Sequence, residues 1–249
     1  MKLAHLTWPE VADLHRDTVV LIPTGSLEQH GPHLPLSTDS ILVTAVAEAV
    51  EAGLADSVLL TPTVWQGAST HHRAYAGTIS ASFAGYGESL RAIIADLGAH
   101  GFHRFYVLNG HGGNAEPNGL ALRQLKDEHP GWTLGHGGYY HFIPPATMEA
   151  NLIGPMKEIG HACEAETSLM MWVRPELVRA DRIQDDGLRS SARVPGLVWR
   201  FDELSERGPL GYPSLATREA GERLFFAATE GVTQALRALR EGITLIGPA

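Results

Sequence analysis

The chain has 249 residues, 44% of them apolar, a formal net charge of −9 and one cysteine, Cys163. The apolar share is enough for a hydrophobic core and excludes a disordered chain. The negative charge disfavours nucleic acid as a partner, because phosphate backbones attract basic surfaces. A lone cysteine rules out an intrachain disulfide. No apolar run is long enough to cross a bilayer and the first residues lack the apolar stretch of a signal peptide, so we expect a cytoplasmic protein without a membrane partner.

Short apolar segments alternate with amphipathic ones along the chain. Strands are predicted over residues 19–22, 58–61, 105–108 and 132–140, and helices over 39–52, 86–98, 115–128, 164–173 and about 217–240. This alternation predicts an α/β fold, a three-layer α/β/α sandwich with a mainly parallel central sheet. We find no repeat and no low-complexity linker, so residues 1–249 are expected to form one domain.

Four polar side chains follow the first predicted strand: Glu28, His30, His33 and Asp39. In an extended backbone Glu28 and His30 leave the same face, and Gln29 between them points away. Carboxylate oxygens and imidazole nitrogens bind Zn²⁺, Mn²⁺ or Fe²⁺, and the two oxygens of one aspartate can each hold an ion. Asp39 also has a structural interpretation, as the N-cap or first-turn acid of the next helix.

A second polar segment, Asn-Gly-His-Gly-Gly-Asn at residues 109–114, follows the third predicted strand. His111 at its centre is a candidate metal ligand, and the glycines would let the backbone come close to a metal or a substrate. A glycine-rich turn between strand and helix can instead hold phosphate on backbone N–H groups, but the spacing matches neither a dinucleotide fingerprint nor a Walker loop. Both polar segments follow strands, which predicts one cleft at the carboxyl ends of the sheet.

A third segment, residues 161–168, opens a predicted helix and contains His161, Glu164 and Glu166. The two acids can simply interact with the helix dipole. Glu166 leads directly into an apolar run, however, so at least one acid is expected to face the interior, where a carboxylate needs a partner such as a metal ion. His161 is a candidate general acid–base because imidazole titrates near neutral pH, although a histidine beside a helix start can also be structural.

Together these motifs resemble the creatininase family of metal-dependent amidohydrolases. The resemblance lies in five segments spread over the chain: residues 25–39, 69–80, 109–114, 161–168 and 211–221. It implies a creatininase-like fold and a site for two divalent metal ions per subunit, with zinc foremost and manganese or iron as alternatives. It further implies that Glu28 and His111 hold one ion, that His30 holds the other, and that Asp39 bridges them.

Two positions depart from creatinine amidohydrolase itself. There a glutamate two residues after the loop histidine binds the second metal, and Gly113 stands at that position here, so Glu164 is the candidate replacement. The tryptophan that closes over creatinine corresponds to Lys157, so creatinine is not expected as the substrate, while the family's catalytic histidine corresponds to His161. The glycine-rich loop is more similar to the deformylase and mycofactocin peptidase branches of the family.

The resulting hypothesis is hydrolysis of a C–N amide bond in a cyclic amide, a formamide or a small peptide-like substrate, by a hydroxide that bridges two metals. His161 would protonate the leaving nitrogen and Glu166 would orient His161 or the metal-bound water. Two alternatives stay open: a nucleotide- or phosphate-binding α/β protein that uses the loop 109–114, and a non-catalytic metal-binding relative. The absence of a lysine in that loop and the acids at 28, 39 and 164 count against the first.

The resemblance also implies a homo-oligomer, with a hexamer as the candidate state. Residues 183–213 have no regular pattern and contain Trp199 and Phe201, which makes this stretch the candidate subunit contact. A second stretch without a regular pattern, residues 66–82, contains His71 and His72.

Overall fold

The structure, a computed structural model, describes residues 1–188 and 196–242. At its centre lies a four-stranded sheet of order β2-β1-β3-β4 in which every neighbouring pair is parallel. Its strands are β1 (Val19–Thr24), β2 (Val58–Leu60), β3 (Arg104–Asn109) and β4 (Thr133–Gly138). The α-helices of the described residues are α1 (Trp8–Asp13), α2 (Thr38–Gly53), α3 (Phe83–Ala99), α4 (Ala115–Glu128), α5 (Pro145–Asn151), α6 (Glu164–Val173) and α7 (Arg218–Arg240).

Helices cover both faces of the sheet, and the side chains of β1 alternate between the two cores because successive residues of a strand point to opposite faces. Val19 and Leu21 pack with α2, α5, α6 and α7. Val20 and Ile22 pack with α1, α3 and α4. This arrangement confirms the predicted three-layer α/β/α sandwich with a parallel central sheet, and it explains why β1 and β2 are apolar at nearly every position.

The differences from the predicted elements are local. The last predicted strand, 132–140, ends at Gly138 because the chain turns there into a 3-10 helix, Tyr139–Phe142. Helices α1 and α5 were not predicted, and both are short. Of the stretch 183–213, residues 189–195 lie outside the described part of the chain. No helix within residues 1–188 and 196–242 is long and apolar enough to cross a membrane.

The strand order places a crevice between β1 and β3. From β1 the chain runs through α2 on one face to β2, whereas from β3 it runs through α4 on the other face to β4. Such a reversal of direction is where ligands bind in open α/β sheets, beyond the carboxyl ends of the strands. Thr24 at the end of β1 lies directly beside Asn109 at the end of β3, so the two polar segments that follow these strands start side by side.

Gly110 allows the first turn of α2 to approach the end of β3. A Cβ atom on Gly110 would lie 2.7 Å from the backbone oxygen of Asp39 and 2.9 Å from Cβ of Val43. Only a residue without a side chain fits this space. The close approach brings Asp39, in the first turn of α2, next to His111, which directly follows Gly110.

Helix α6 is held in place by a similar contact with α7. A Cβ atom on Gly221 would lie 1.8 Å from the backbone oxygen of Ser168 in α6. The side chain of Ser168 in turn accepts a hydrogen bond from the backbone N–H of Thr217, the N-cap of α7. The position of α6 therefore depends on the absence of a side chain at residue 221.

This contact predicts opposite effects of the same substitution in two helices. Gly221→Ala should destabilise the protein by about 1–3 kcal/mol, because the added methyl group meets backbone atoms that cannot rotate away. Gly87→Ala in α3 is the matched control: a Cβ there meets nothing within 4 Å, so the higher helix propensity of alanine should stabilise the protein by roughly 1 kcal/mol. Urea unfolding of both variants measures the difference, and a stabilised Gly221→Ala variant would contradict the packing described.

Candidate metal centre

Beyond the ends of β1 and β3, six carboxylate and imidazole side chains converge into one buried cluster. They form three overlapping groups of candidate metal ligands, and within each group one ligand atom per residue lies within 4.8 Å of the others: Glu28, Asp39 and His111; His30, Asp39 and Glu166; Glu28, His30 and His161. Asp39 belongs to two of the groups. The structure thus brings together four residues predicted to bind metal and both residues predicted to be catalytic.

Glu28 directs one carboxylate oxygen towards the cluster and fixes the other on the protein. Its Oε2 atom accepts hydrogen bonds from the hydroxyl groups of Ser26, at 3.1 Å, and Ser69. Its Oε1 atom is buried without a hydrogen-bond partner and lies 3.2 Å from Nδ1 of His111. A buried carboxylate oxygen without a partner is costly, and a cation would supply one.

Asp39 presents a different imidazole to each of its two oxygens. Oδ1 lies 3.1 Å from Nε2 of His30, and Oδ2 lies 3.2 Å from Nδ1 of His111. Oδ2 is buried without a hydrogen-bond partner, like Oε1 of Glu28. One carboxylate between two imidazoles is the arrangement that a bridging metal ligand needs.

The imidazoles are oriented by backbone carbonyl groups. In each of three rings one nitrogen faces such a carbonyl: Nδ1 of His30 lies 3.2 Å from the oxygen of Glu28, Nε2 of His111 3.3 Å from that of Ala68, and Nε2 of His161 2.8 Å from that of Gln29. When these nitrogens donate, the other ring nitrogen faces the carboxylates as a lone pair. This orientation is typical of metal-binding histidines, so the donor set fits divalent ions such as zinc or manganese.

The structure places Glu164, the predicted replacement ligand, outside the cluster. Both of its carboxylate oxygens accept backbone N–H groups, Oε1 from Ile153 at 2.6 Å and Oε2 from Gly154 at 2.9 Å, and it belongs to none of the three ligand groups. Glu166 lies with His30 and Asp39 instead, while its Oε2 accepts the N–H of Ala162 at 2.5 Å. Glu166, predicted to orient the catalytic groups, is thus itself a candidate metal ligand.

The space at Gly113 explains why a carboxylate comes from α6. A Cβ atom at residue 113 would lie 2.5 Å from Nε2 of His111 and 2.5 Å from the backbone oxygen of Ala68. A glutamate at this position would displace His111. Position 113 therefore cannot supply a ligand in this arrangement, whereas Glu166 reaches His30 and Asp39 from the opposite side.

Without a metal, protons balance the buried negative charge. Burial favours the neutral imidazole of His30, but Asp39, Glu166 and Glu28 outweigh burial and raise the pKa of His30 to about 9. In His111, too, the neighbouring carboxylates outweigh burial, and Glu28 contributes most to the raised pKa. Burial alone would raise the pKa of Glu28, yet the neighbouring His111 lowers it below the ordinary range.

For two groups at the edge of the cluster, the shift in pKa favours the neutral form of the side chain. Burial, with the charge of Asp39 added, raises the pKa of Glu166 to about 7 against the opposing effect of His30. Burial, with the positive charge of His30 and His72 added, lowers the pKa of His161 well below its ordinary value. His161 is therefore a neutral imidazole at neutral pH, with Nδ1 3.7 Å from Oε1 of Glu28.

Two residues of this region were not predicted to belong to the site, and one other residue that was grouped with the candidate ligands lies apart from them. His72 is buried, with Nε2 3.3 Å from Oε1 of Glu28, although only its place in an irregular stretch pointed to it. Gln29 was expected to point away, but its side chain is buried between His72 and His161. His33 does not join the cluster: its Nε2 lies 2.9 Å from the hydroxyl group of Thr167.

Phe201 covers the cluster rather than offering an exposed surface for a subunit contact. It is 3% exposed, and its ring lies 4.3 Å from that of His72 and 4.5 Å from that of His161, measured between centroids. Trp199 is 40% exposed and contacts Phe201 and His71 edge to face. The homo-oligomer and its contact stay predictions.

The loop 109–114 is organised to hold His111, not an anion. The side chain of Asn109 donates to the backbone oxygen of His111 at 2.6 Å and accepts its N–H at 3.1 Å. Asn114 donates to the backbone oxygen of Gly25 at 3.0 Å and accepts the N–H of Ala68 at 2.8 Å. Because these amides orient the histidine towards carboxylates, the surroundings of the loop repel phosphate and disfavour the nucleotide-binding alternative.

Comparison with known proteins agrees with this geometry. The sequence profile of the creatininase family, described as creatinine amidohydrolase, matches residues 4–236. The mycofactocin precursor peptide peptidase of Mycobacterium ulcerans is 34% identical, over 88% of this chain and 81% of that protein. The creatinine amidohydrolase of Pseudomonas putida is 29% identical, over 94% and 95%. A variant creatininase described as a Zn–Zn type has a TM-score of 0.82 and 29% identity, over 95% of this chain and 96% of that one.

The two glutamates of α6 provide a matched pair for testing the ligand set. Glu166→Gln should weaken zinc binding by more than the roughly 10- to 100-fold typical of losing an outer hydrogen-bond partner of a ligand. Glu164→Gln should leave zinc binding unchanged and cost about 1–3 kcal/mol of stability, because one backbone N–H loses its acceptor. Chelator competition and elemental analysis measure the first effect and urea unfolding the second; the reverse pattern would restore Glu164 as the ligand.

The metal-free protein should lose stability as the pH rises from 7 to 9. His30 has a pKa of about 9 in the fold against 6.5 ordinarily, so its proton stabilises the fold fully below pH 6.5, and this contribution disappears as the pH passes 9. The raised pKa of His111 acts in the same direction. Carboxylates with a lowered pKa, such as Glu28, are ionised in both states in this window and contribute no slope.

Thermal unfolding in the presence of a chelator should therefore give a Tm at least roughly 3 °C lower at pH 9 than at pH 7, at about 2–4 °C per kcal/mol for a chain of this size. The zinc-loaded protein is the control, since bound metal replaces these protons and removes their contribution to the slope. Equal slopes with and without zinc would mean that protons do not balance the cluster.

Proposed function

The chain belongs to the creatininase family, whose members are hydrolases acting on C–N bonds, and we propose that it hydrolyses an amide bond of a small molecule or short peptide at the cluster described above. One observation carries the proposal: Oε1 of Glu28 and Oδ2 of Asp39 are both buried without hydrogen-bond partners and both face Nδ1 of His111. Three lone pairs that converge in a buried space need a positive charge between them, which a proton on His111 supplies in the metal-free chain and a metal ion would supply when bound.

The donor set suits two divalent ions. Glu28 and His111 would hold one, His30 and Glu166 the other, and Asp39, which belongs to a group with each set, would be shared between them. Zinc is the first candidate, with manganese or iron as alternatives, because mixed oxygen and nitrogen ligands suit all three. When bound, the two ions would polarise the amide carbonyl and lower the pKa of a water molecule.

His161 is the residue that moves protons. Its Nε2 atom faces the backbone oxygen of Gln29, and its Nδ1 atom faces the cluster. The ring is neutral at neutral pH because burial lowers the pKa of His161. It can take the proton of the attacking water on Nδ1 and give it to the leaving nitrogen, which becomes a neutral amine. Phe201 packs on His161 and His72 and keeps bulk water from this side of the site.

The surroundings of the cluster disfavour creatinine as the substrate. Lys157, which stands in place of the tryptophan that closes over creatinine, donates from Nζ to the backbone oxygen of Leu152 and offers no flat ring to a substrate. Creatinine is therefore expected to react poorly. Since the Mycobacterium ulcerans relative is named a peptidase of a precursor peptide, short peptides are the first substrates to test, followed by formamides and cyclic amides.

We also propose that the chain acts as a homo-oligomer. Trp199, beside the covered cluster, is exposed together with its neighbours Leu197 and Val198, and these side chains are available for a subunit contact. Sedimentation at the monomer mass of 26.9 kDa would contradict this proposal.

The proposed function is tested with a panel of short peptides, formamides and cyclic amides and with one variant of the protein. Zinc-loaded protein should release amine from at least one class, and His161→Gln should lower kcat by about 10²- to 10⁴-fold, the usual contribution of a general acid–base, with zinc content unchanged. His136→Gln is the matched control, since His136 lies on β4 outside the cluster, and it should retain full activity. Full turnover by His161→Gln, or by protein stripped of metal, would contradict the mechanism.

A further inference from the structure

A buried glutamine lies directly beside the proposed proton-transfer residue. The side chain of Gln29 is 5% exposed, and its Nε2 atom has three polar neighbours: Nδ1 of His72 at 2.9 Å, Nε2 of His161 at 2.9 Å and the backbone oxygen of Gly208 at 3.1 Å. An amide nitrogen has only two protons to donate. One of the three neighbours must therefore be satisfied in another way.

The orientation of the Gln29 amide is determined by backbone groups. Its Oε1 atom accepts the N–H of Gly31 at 2.9 Å, and its Nε2 atom donates to the carbonyl of Gly208. A backbone N–H can only donate and a carbonyl can only accept. Rotating the amide by half a turn would set N–H against N–H and oxygen against oxygen, so the nitrogen faces the two imidazoles.

The positions of the protons on both imidazoles follow from this orientation. The carbonyl of Gly208 uses one amide proton, and the other goes to Nδ1 of His72, so His72 carries its own proton on Nε2, which faces Oε1 of Glu28 at 3.3 Å. Nε2 of His161 then donates to the backbone oxygen of Gln29 at 2.8 Å. Any other distribution leaves a buried carbonyl or a ring nitrogen without a partner, which native structures avoid.

We propose that Gln29 is a positioning residue whose backbone carbonyl and side-chain amide hold His161 and His72 each in a single tautomer, so that His161 presents an unprotonated Nδ1 to the cluster. The consequence for catalysis rests on the role proposed for His161, but the tautomers themselves do not. Gln29 thereby sets which nitrogen of His161 receives the proton.

The same amide connects the site to the segment that covers it. The carbonyl of Gly208 accepts from Gln29, and Leu210, two residues on, exchanges backbone hydrogen bonds with His161 at 2.7 and 3.4 Å. A Cβ atom on Gly208 would lie 1.9 Å from Oε1 of Gln29. A side chain at residue 208 must therefore displace the amide.

The direct test is Gln29→Met, which keeps length and volume and removes both the donor and the acceptor. Long-range ¹H–¹⁵N correlation spectra of the zinc-loaded protein report which ring nitrogen carries the proton, and His72→Asn and His161→Asn assign the signals. The unchanged protein should show His72 and His161 protonated on Nε2 alone. In Gln29→Met, His72 should exchange between tautomers, and kcat should fall about 10- to 100-fold with KM within about threefold and zinc content unchanged.

Gln234→Met, an exposed glutamine on α7, is the control and should change neither the spectra nor kcat. A proton on Nδ1 of His72 in the unchanged protein, or spectra and kcat unaffected by Gln29→Met, would overturn the proposal. If no amide is hydrolysed but the tautomers are as described and the single tautomer of His72 is lost in Gln29→Met, the positioning role stands and the proposed function fails.

A glycine pair tests the same idea should Gln29→Met not fold. Gly208→Ala pushes the Gln29 amide aside, whereas Gly101→Ala imposes a similar backbone strain, at φ +94° against +104°, and meets only the Arg16 side chain at an ordinary 3.4 Å. Gly208→Ala should show the loss of a single His72 tautomer and the fall in kcat, and Gly101→Ala neither. Identical spectra and kcat for the two glycine variants would count against Gln29.

Discussion

The burial of three carboxylates beside one another is the constraint on which this end of the molecule depends. Taking a carboxylate out of water costs several kcal/mol unless opposite charge or hydrogen-bond donors replace the water. Here two oxygens, Oε1 of Glu28 and Oδ2 of Asp39, are buried without a hydrogen bond and each lie 3.2 Å from the same nitrogen of His111. Protons on His30 and His111 balance the negative charge in the metal-free chain, and bound divalent ions would replace those protons.

The backbone around the cluster is shaped to make this convergence possible. Gly110 lets α2 approach β3, and Ala162 adopts a left-handed conformation with φ +47° beside His161. That conformation costs an alanine roughly 1–2 kcal/mol, and it is offset because the N–H of Ala162 donates to Oε2 of Glu166 at 2.5 Å. Strain of this kind is typical of functional sites, and here it orients a carboxylate of the cluster.

A second layer of side chains connects distant parts of the chain to the same point. Phe201 packs on His72 and His161, and Gln29 joins these two imidazoles to the carbonyl of Gly208. The segment after α6 therefore covers the cluster and is tied to the end of β1. Fold and site are coupled here, because the groups that close the site also satisfy its buried polar atoms.

The sequence by itself determined the layered fold and the edge of the sheet at which the site lies. Apolar periodicity distinguishes strands from helices, and the carboxyl ends of parallel strands share one edge, so segments after β1 and β3 had to meet there. The sequence alone therefore predicts that Glu28, His30, Asp39 and His111 share one cleft, and the structure brings them together.

Only the tertiary structure decided which side chains complete the cluster. Glu164 and Glu166 are two residues apart on a helix, about 200° around its axis, so the rotation of α6 selects one of them, and that rotation is set by its contact with α7 at Gly221. Gln29 likewise turns inwards because Gly31 bends the chain at φ +65° and Gly208 offers a carbonyl. Contacts between residues far apart in the chain leave no periodic pattern in the sequence, which is why neither the family resemblance nor local patterns distinguished Glu164 from Glu166 or pointed to Gln29.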